Sequence, residues 1–302
     1  MLILYTYIKL YLCKIFQMKI ILVTGGAGFI GSNLIKKLIK NGHNVTSLDN
    51  YTTGKTENEV AGVNYIDDDI ENIIKLKTKF DVCFHLAAQS RVQPSFDNPQ
   101  ESVRINVTGT TRVMEWARIN NVKVIYAGSS SKHHDPSDSP YAMTKFLGEE
   151  ICKLYKKSFN VNVEIARFYN VYGPIEPIDE KFGNVIGIWR AKVKKSLPLP
   201  IVGDGNQKRD FTHVFDIVDG LLKISKTEIK HDDAWEIGTG VNYSINELFL
   251  MFKQKFNADS IYIPDQKGNY RETLRVNDDL INLLNWQPED RLREYIANLN
   301  KI

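Results

Sequence analysis

The chain has 302 residues, with 39 Lys and Arg against 36 Asp and Glu, which gives a formal net charge of +3. So small a surplus does not indicate a nucleic-acid or membrane partner, and we expect neither. Nineteen glycines, ten prolines and 43% hydrophobic residues exclude a collagen-like or low-complexity chain. A chain of this length buries enough surface to fold without disulfides or metals.

The first seventeen residues, 1–17, form an apolar and aromatic segment that Lys9 and Lys14 interrupt. The segment lacks the basic start and small-residue cleavage site of a secretory signal, and it is too short and too charged to span a bilayer. We interpret it as an extension outside the fold, in preference to an amphipathic membrane anchor.

No pattern of cysteine or histidine indicates a metal site. Cys13, Cys83 and Cys152 are far apart and form no C-x-x-C pair, which indicates a reducing, cytoplasmic environment, and we interpret Cys83 and Cys152 as core residues. The adjacent His133 and His134 are expected to be solvated on a turn, so we predict no metal.

Strands and helices alternate from residue 19 onward. The apolar run 19–24 predicts a strand buried on both faces, followed by a helix that ends at Asn41 and Gly42. The next strand, 43–48, ends on Asp49. The remaining predicted elements of this part are strands over 81–87, 122–127 and 161–169 and helices over 106–120 and 141–159. This alternation predicts an α/β fold with a doubly wound parallel (Rossmann) sheet.

The regular alternation stops after Gly173 and Pro174, and helices with polar faces return only near 245 and 278. We therefore predict a main domain of residues 18–172 with about 209–241. Residues 173–208 and 242–302 are expected to form a smaller C-terminal substrate-binding lobe at the edge of the sheet where ligands bind.

A glycine-rich turn joins the first strand to the first helix. Gly25, Gly28 and Gly31 lie where side chains would block the approach of backbone N–H groups to a pyrophosphate. Asp49 ends the next strand, where a carboxylate accepts hydrogen bonds from the adenosine ribose and repels a 2′-phosphate. The sequence predicts that the larger domain binds NAD rather than NADP.

A serine run and a Tyr-x-x-x-Lys pair follow further along the chain. Tyr141 and Lys145 share one face of a predicted helix, so the lysine charge is placed to lower the tyrosine pKa for acid–base work. Ser129, Ser130 and Ser131 end the preceding strand, where a hydroxyl can donate a hydrogen bond to a reacting oxygen.

These motifs are similar to those of the extended short-chain dehydrogenase/reductase family, in its nucleotide-sugar epimerase/dehydratase branch. The resemblance extends from Lys19 to about Pro288. It rests on VTGGAGFIGS (23–32), LDNYTTGK (48–55), HLAAQS (85–90), SPYAMTK (139–145), ARFYNVYGP (166–174) and GDGNQKRDFTHVFDIVDG (203–220), in the order of the family.

The resemblance implies a role for each matching residue. Tyr141 is the implied base, Lys145 its activator, and Ser129 the helper, chosen by aligning His133 with a family tyrosine. The implied substrate-binding residues are Ser130, Asn170, Arg209 and, where the family has an arginine that Gln266-Lys267-Gly268 lacks, Lys267 or Arg271. The implied NAD-binding residues are Gly25, Gly28, Phe29, Ile30, Gly31, Asp49, Asn50, Asp69, Ile70, Ala87, Ala88, Gln89, Asn106, Tyr141 and Lys145.

The resemblance favours a 4-epimerase of a UDP-hexose or UDP-N-acetylhexosamine that works through a transient 4-keto sugar. A 4,6-dehydratase is the alternative, but no carboxylate follows Ser129 before Asp135, and the loop from Ser129 to Tyr141 is shorter than in the family. A non-catalytic NAD-binding protein is a second alternative. Thr273 falls where the family limits the C2 substituent.

The resemblance also implies a homodimer formed through helices 106–120 and 141–159, whose outward apolar residues are expected to be Val113, Trp116 and Phe146. His85 and His213 are expected to be structural rather than catalytic, and the four tryptophans to pack in the core.

Overall fold

The computed structural model describes residues 18–300. The predicted extension 1–17, with Cys13, lies outside the described residues. The strands are β1 (Ile20–Thr24), β2 (Asn44–Asp49), β3 (Asn64–Asp67), β4 (Val82–His85), β5 (Lys123–Ser129), β6 (Val163–Phe168), β7 (Asn170–Tyr172), β8 (Leu199–Val202), β9 (Lys208–His213), β10 (Trp235–Ile237), β11 (Asn242–Ser244) and β12 (Ser260–Ile263).

Helices connect most of these strands. They are α1 (Phe29–Lys40), α2 (Val92–Asp97), α3 (Pro99–Val103), α4 (Thr110–Asn120), α5 (Pro140–Phe159), α6 (Val185–Lys194), α7 (Val214–Lys226), α8 (Ile245–Phe256), α9 (Asp279–Leu284) and α10 (Leu292–Ala297). A π-helical stretch, Arg104–Gly109, runs into α4, and short 3₁₀ turns lie at Thr56–Asn58, Ile70–Lys75, Ser130–His133 and Pro136–Asp138.

Seven strands form a parallel central sheet in the order β10-β6-β5-β4-β1-β2-β3. The chain builds outward from β1 in both directions, and the first crossover lies between β1 and β4, where doubly wound folds bind their ligands. The predicted α/β fold with a doubly wound parallel sheet is confirmed.

Helices cover both faces of this sheet because the strands are apolar on both sides. In β1, Val23 packs with Leu34 and Leu221 from α1 and α7 on one face. Leu22 packs with Trp116 and Cys152 from α4 and α5 on the other. Cys83 and all four tryptophans are buried as well, so the prediction that these residues pack in the core is confirmed.

The second half of the chain contains more helix than its sequence predicted. The expectation that helices return only near 245 is wrong, because α6 and α7 precede that point. Nine of the thirteen residues of α7 are buried, as expected of a helix packed on a sheet rather than of a helix with a broad polar face.

A smaller apolar cluster lies beyond the central sheet. Trp189 of α6 packs against Phe252 of α8, and Leu199, Phe211 and Leu292 join them. Two small sheets support this region, β11-β9-β7 and the parallel pair β12-β8. Where one domain ends and the next begins stays a prediction.

The expected dimer face is wrong in two of its three residues. Val113 and Trp116 lie on the face of α4 that is buried against the sheet, and only Phe146 stays partly exposed. Both residues belong to the apolar face of the helix, and that face packs on the sheet. The homodimer itself stays a prediction. Among residues 18–300, no helix is long and apolar enough to cross a membrane.

Candidate active site

A cleft of about 640 Å³ lies at the carboxyl ends of the central strands and reaches across to the second half of the chain. That volume is typical of a site for a small organic ligand. The cleft brings together most of the predicted site residues: Gly25, Gly28, Phe29, Ile30, Gly31, Asp49, Asn50, Ile70, Ala87, Ala88, Gln89, Ser129, Ser130, Tyr141, Lys145, Asn170, Arg209 and Thr273.

The glycine turn at one end of the cleft has no room for side chains. Gly25 has a φ of +73°, and a Cβ there would lie 2.8 Å from the Ala87 nitrogen. A Cβ on Gly31 would lie 2.2 Å from the Gly25 carbonyl oxygen. Gly28 begins α1 without a side-chain cap, so the helix N-terminus faces the cleft with backbone groups alone. This is the arrangement that binds a pyrophosphate.

Asp49 lies at the end of β2, beside this turn. Its carboxylate accepts hydrogen bonds from the backbone N–H groups of Ala27 and Tyr51, each at 2.9 Å. Burial raises the pKa of Asp49, although these two bonds oppose the shift. The turn and the carboxylate together have the donor set and shape that an NAD pyrophosphate and adenosine ribose require.

Two residues that were predicted to bind the cofactor, Asp69 and Asn106, do not line the cleft. Asp69 accepts two hydrogen bonds from Arg104, at 2.9 and 3.0 Å, and one from Asn50. Asn106 bonds both backbone groups of Gln89, at 2.8 and 3.0 Å, and so fixes the loop that follows β4. The structure therefore gives these two residues positioning contacts with protein groups.

Ser129 and Tyr141 meet in the middle of the cleft. The Tyr141 hydroxyl donates to Ser129 Oγ at 3.1 Å, while Ser131 Oγ lies 2.9 Å from the same oxygen. Ser129 ends β5, and Tyr141 lies in the first turn of α5, which Ser139 caps by accepting from Ala142 N–H. Of the three serines, Ser129 is the one that touches the tyrosine.

Lys145 lies one turn along α5 and is almost fully buried. Its ammonium donates to the Ala127 carbonyl and lies 4.5 Å from the centre of the Tyr126 ring. Burial lowers the pKa of Lys145 to about 8. Burial also raises the pKa of Tyr141, opposed by its bond to Ser129 and by the charge of Arg91. The expected lowering of the Tyr141 pKa by Lys145 is not seen.

The short loop between Ser129 and Tyr141 is anchored at both histidines, which were expected to be solvated. His133 Nε2 lies 3.0 Å from a carboxylate oxygen of Glu236, and the His134 ring stacks on Tyr270 with centroids 3.8 Å apart. His133 lies in a 3₁₀ turn, and its side chain points inward to the buried carboxylate of Glu236. The histidines thus hold the shortened loop against two distant parts of the chain.

Polar groups from the second half of the chain also line the cleft. Asn170 donates to the Thr273 hydroxyl at 3.1 Å, and Arg209 donates to Asn269. Arg271 is not brought to the cleft, because its side chain is 67% exposed and pairs with Asp204 at 2.8 Å. Lys267 does not line the cleft either.

His85 and His213 are both buried, and their structural role stays a prediction. His85 lies between Thr24 and Thr110, at 2.8 and 3.2 Å, and burial lowers its pKa to about 3. Burial lowers the pKa of His213 to about 4.

The sequence analysis missed one charged residue of the cleft. Arg91 lines it together with Tyr141 and donates from Nε to the Phe182 carbonyl at 2.7 Å. The available signal was its place directly after the 85–90 block that lines the cleft.

A family model described as NAD dependent epimerase/dehydratase family matches residues 21–238. The chain belongs to that family. It is 37% identical to a protein of Methanocaldococcus jannaschii whose assignment as a UDP-glucose 4-epimerase is itself provisional, over 92% of this chain and 96% of that one. It is also 29% identical to a UDP-glucuronic acid decarboxylase of Arabidopsis thaliana, over 91% of this chain and 66% of that one.

Solved structures agree with this family membership. An epimerase from Methanothermobacter thermautotrophicus superposes with a TM-score of 0.87 at 30% identity, covering 94% of this chain and 91% of that one. A UDP-glucuronic acid 4-epimerase from Bacillus cereus, in complex with UDP-glucuronic acid and NAD, gives 0.84 at 29% identity, covering 92% and 96%.

Proposed function

We propose that this protein is an NAD-dependent 4-epimerase of a UDP-hexose or UDP-N-acetylhexosamine. The observation that carries the proposal is the Tyr141 hydroxyl, 3.1 Å from Ser129 Oγ in a cleft that begins at an uncapped glycine turn. The similarity to epimerases of UDP-sugars supports the choice of substrate class. NAD, when bound, accepts a hydride from the sugar and returns it.

We assign the proton transfer and the binding of the substrate to residues of the cleft. Tyr141 takes the proton of the C4 hydroxyl as the 4-keto sugar forms and gives it back as the new alcohol forms. Ser129 donates a hydrogen bond to the same sugar oxygen and holds it near the phenol. Lys145, one turn along α5 from Tyr141, is assigned to the nicotinamide ribose of the bound NAD, and Arg209 to the diphosphate of the substrate, which a guanidinium can bind in a bidentate manner.

The carboxylates around Ser129 favour epimerisation over dehydration. Elimination of water from C5 and C6 needs a second acid or base near the sugar. Asp135 accepts instead from the backbone and hydroxyl of Ser137, and neither Asp135 nor Asp138 lines the cleft. Glu149 is buried in an ion pair with Arg167 at 2.8 Å. Glu180, which lines the cleft, is paired with Lys192 at 2.7 Å and with Lys195 at 2.8 Å.

The test is incubation of the purified protein with catalytic NAD and a panel of UDP-, dTDP- and GDP-hexoses, with chromatography of the products. A C4 epimer without net accumulation of reduced cofactor is expected. A 4-keto-6-deoxy sugar would favour the dehydratase. Tight NAD binding without turnover of any sugar would favour the non-catalytic alternative.

A further inference from the structure

The 3₁₀ turn Ser130–His133 is bonded at its start to the hydroxyl of Ser129. Ser129 caps the turn, because its Oγ accepts a hydrogen bond from the Ser131 N–H at 3.2 Å. The same Oγ accepts from the Tyr141 hydroxyl at 3.1 Å. Since a capping side chain is oriented by the backbone that it caps, the conformation of this turn determines where the Ser129 hydroxyl meets Tyr141.

The other end of the turn is held by Glu236 of β10. His133 Nε2 lies 3.0 Å from Glu236 Oε1, and because a carboxylate only accepts, the imidazole is the donor. Glu236 is buried and fixed by two further donors, Arg167 at 3.0 Å and the Tyr169 hydroxyl at 2.9 Å. Among residues 18–300, this contact is the one hydrogen bond of the His133 side chain, which is 27% exposed.

The same buried guanidinium also holds the strand that carries the serine. Arg167 donates to Glu149 from Nε and from Nη2, at 3.0 and 2.8 Å. Glu149 Oε1 in turn accepts from the Ser129 N–H at 3.4 Å. The backbone of Ser129 and the ring of His133 are therefore anchored to two carboxylates that share one arginine. A buried and fully bonded network of this kind is rigid, so it fixes both ends of the turn.

From this geometry we infer that His133 is a positioning residue for Ser129. His133 does not line the cleft and acts through the turn, by holding the serine hydroxyl where it meets Tyr141 and the C4 oxygen of the sugar. A small displacement of such a hydroxyl weakens its hydrogen bond to the reacting oxygen, and turnover slows. The inference rests on the proposed function and adds to it a residue outside the cleft.

The first experiment is a double-mutant cycle in kcat on the UDP-sugar that is turned over fastest. His133→Phe keeps a ring but removes the donor, and we expect kcat to fall roughly three- to tenfold with KM within about twofold. In the Ser129→Ala background the same change should lower kcat less than about twofold, because the group that it positions is gone. His133→Gln, whose amide can donate to Glu236, should recover kcat to within about twofold of the wild type.

The matched control is His231→Phe. His231 Nε2 also lies 3.0 Å from a carboxylate oxygen, that of Asp279, but neither residue lines the cleft or belongs to the turn. This variant should leave kcat unchanged.

The second experiment needs no turnover. Amide hydrogen exchange over residues 129–134 of the NAD-loaded protein is measured by mass spectrometry. His133→Phe should raise the exchange rate at least about tenfold, because the turn loses its anchor, and His231→Phe should not change it.

Two results would overturn the inference. One is a full effect of His133→Phe on kcat in the Ser129→Ala background, which would mean that the histidine acts independently of the serine. The other is unchanged amide exchange over 129–134 in His133→Phe. Raised exchange in a protein that turns over no sugar would instead overturn the proposed function alone. A thermal melt identifies a variant that fails to fold, and His133→Ala then replaces His133→Phe in both experiments.

Discussion

The phenol oxygen of Tyr141 lies 3.1 Å from Ser129 Oγ, whereas the ammonium of Lys145 turns away to the Ala127 carbonyl. Under the proposed function, this contact would let the tyrosine and the serine act on one oxygen of the substrate. The lysine is buried between α5 and β5, where its ammonium donates to a backbone carbonyl of β5. Because the three side chains make different contacts, we expect their substitutions to have different effects.

Replacing the base should remove most of the activity. Tyr141→Phe is expected to lower kcat for C4 epimerisation roughly 100- to 10,000-fold, because proton transfer at the sugar oxygen is lost while the ring still fills its site. Steady-state kinetics measure the effect. Tyr262→Phe is the matched control, since that phenol is exposed and lies outside the cleft. Equal kcat values for the two variants would contradict the assigned role.

The neighbouring serines should differ in their effects. Ser129→Ala is expected to lower kcat about tenfold or more, because within the serine run only its hydroxyl accepts from the Tyr141 phenol. Ser130→Ala, which leaves that contact intact, should change KM more than kcat. Kinetics of the two variants on one UDP-sugar separate these roles. A larger loss of kcat in Ser130→Ala would transfer the role to that serine.

Lys145 should destabilise the nucleotide-free protein in a defined pH range. Its folded pKa of about 8 is below the ordinary 10.5, so the folded chain disfavours the charged form. The destabilisation is fully present below pH 8 and disappears as pH rises to 10.5, because the unfolded chain binds more protons within that window. Lys145→Met should therefore raise the free energy of unfolding by roughly 3 kcal/mol at pH 7 while turnover is lost. Urea denaturation at pH 7 and above 10 measures both limits, and a pH-independent difference would contradict the account.

Asp49 should set the choice between NAD and NADP. Asp49→Asn keeps an oxygen that can accept from the Ala27 N–H but removes the negative charge that repels a 2′-phosphate. The preference for NAD is expected to fall at least about tenfold, as measured by calorimetry with both nucleotides. Asp67→Asn, at the end of the adjacent strand β3 and outside the cleft, should leave the preference unchanged. The same change in both variants would show a nonspecific charge effect instead.

The buried ion cluster around Arg167 should matter for stability. Its guanidinium pairs with Glu149 at 2.8 Å, Glu236 at 3.0 Å and Asp233 at 2.6 Å. Arg167→Leu removes the guanidinium that pairs with two buried carboxylates, Glu149 and Glu236, so a loss of about 3–5 kcal/mol is expected in urea denaturation.

The exposed pair of Arg118 with Glu115 provides the control for this prediction. Arg118→Leu should cost less than about 1 kcal/mol, since solvent screens the pair. If Arg167→Leu cost no more than that, the cluster around Arg167 would not carry the stability assigned to it.

The sequence predicted the parts of the fold that local patterns determine. The glycine turn, the apolar strands on either side of it and the Tyr-x-x-x-Lys spacing each depend on neighbours in sequence, and the cleft contains Gly31, Asp49 and Tyr141 as expected. The sequence did not predict contacts between segments that are far apart along the chain. Arg271 is adjacent to cleft residues in sequence but pairs with Asp204 at the surface. Trp116 has an apolar pattern that fits a dimer face equally well as a core, and only packing on the sheet decides.

The histidines of the short loop and Arg91 show the same limit. His134 stacks on Tyr270, more than 130 residues later in the chain, and no local pattern reports such a partner. From the sequence alone, Arg91 would be taken for a solvated side chain. The structure places it in the cleft that Tyr141 also lines.

The most direct test of the proposed epimerase uses UDP-hexoses labelled with deuterium at C4, incubated with the NAD-loaded protein. The account predicts a C4 epimer that retains deuterium at C4, with no label lost to water and no net accumulation of reduced cofactor. A product deoxygenated at C6, or an epimer that has exchanged its C4 label with solvent, would contradict it.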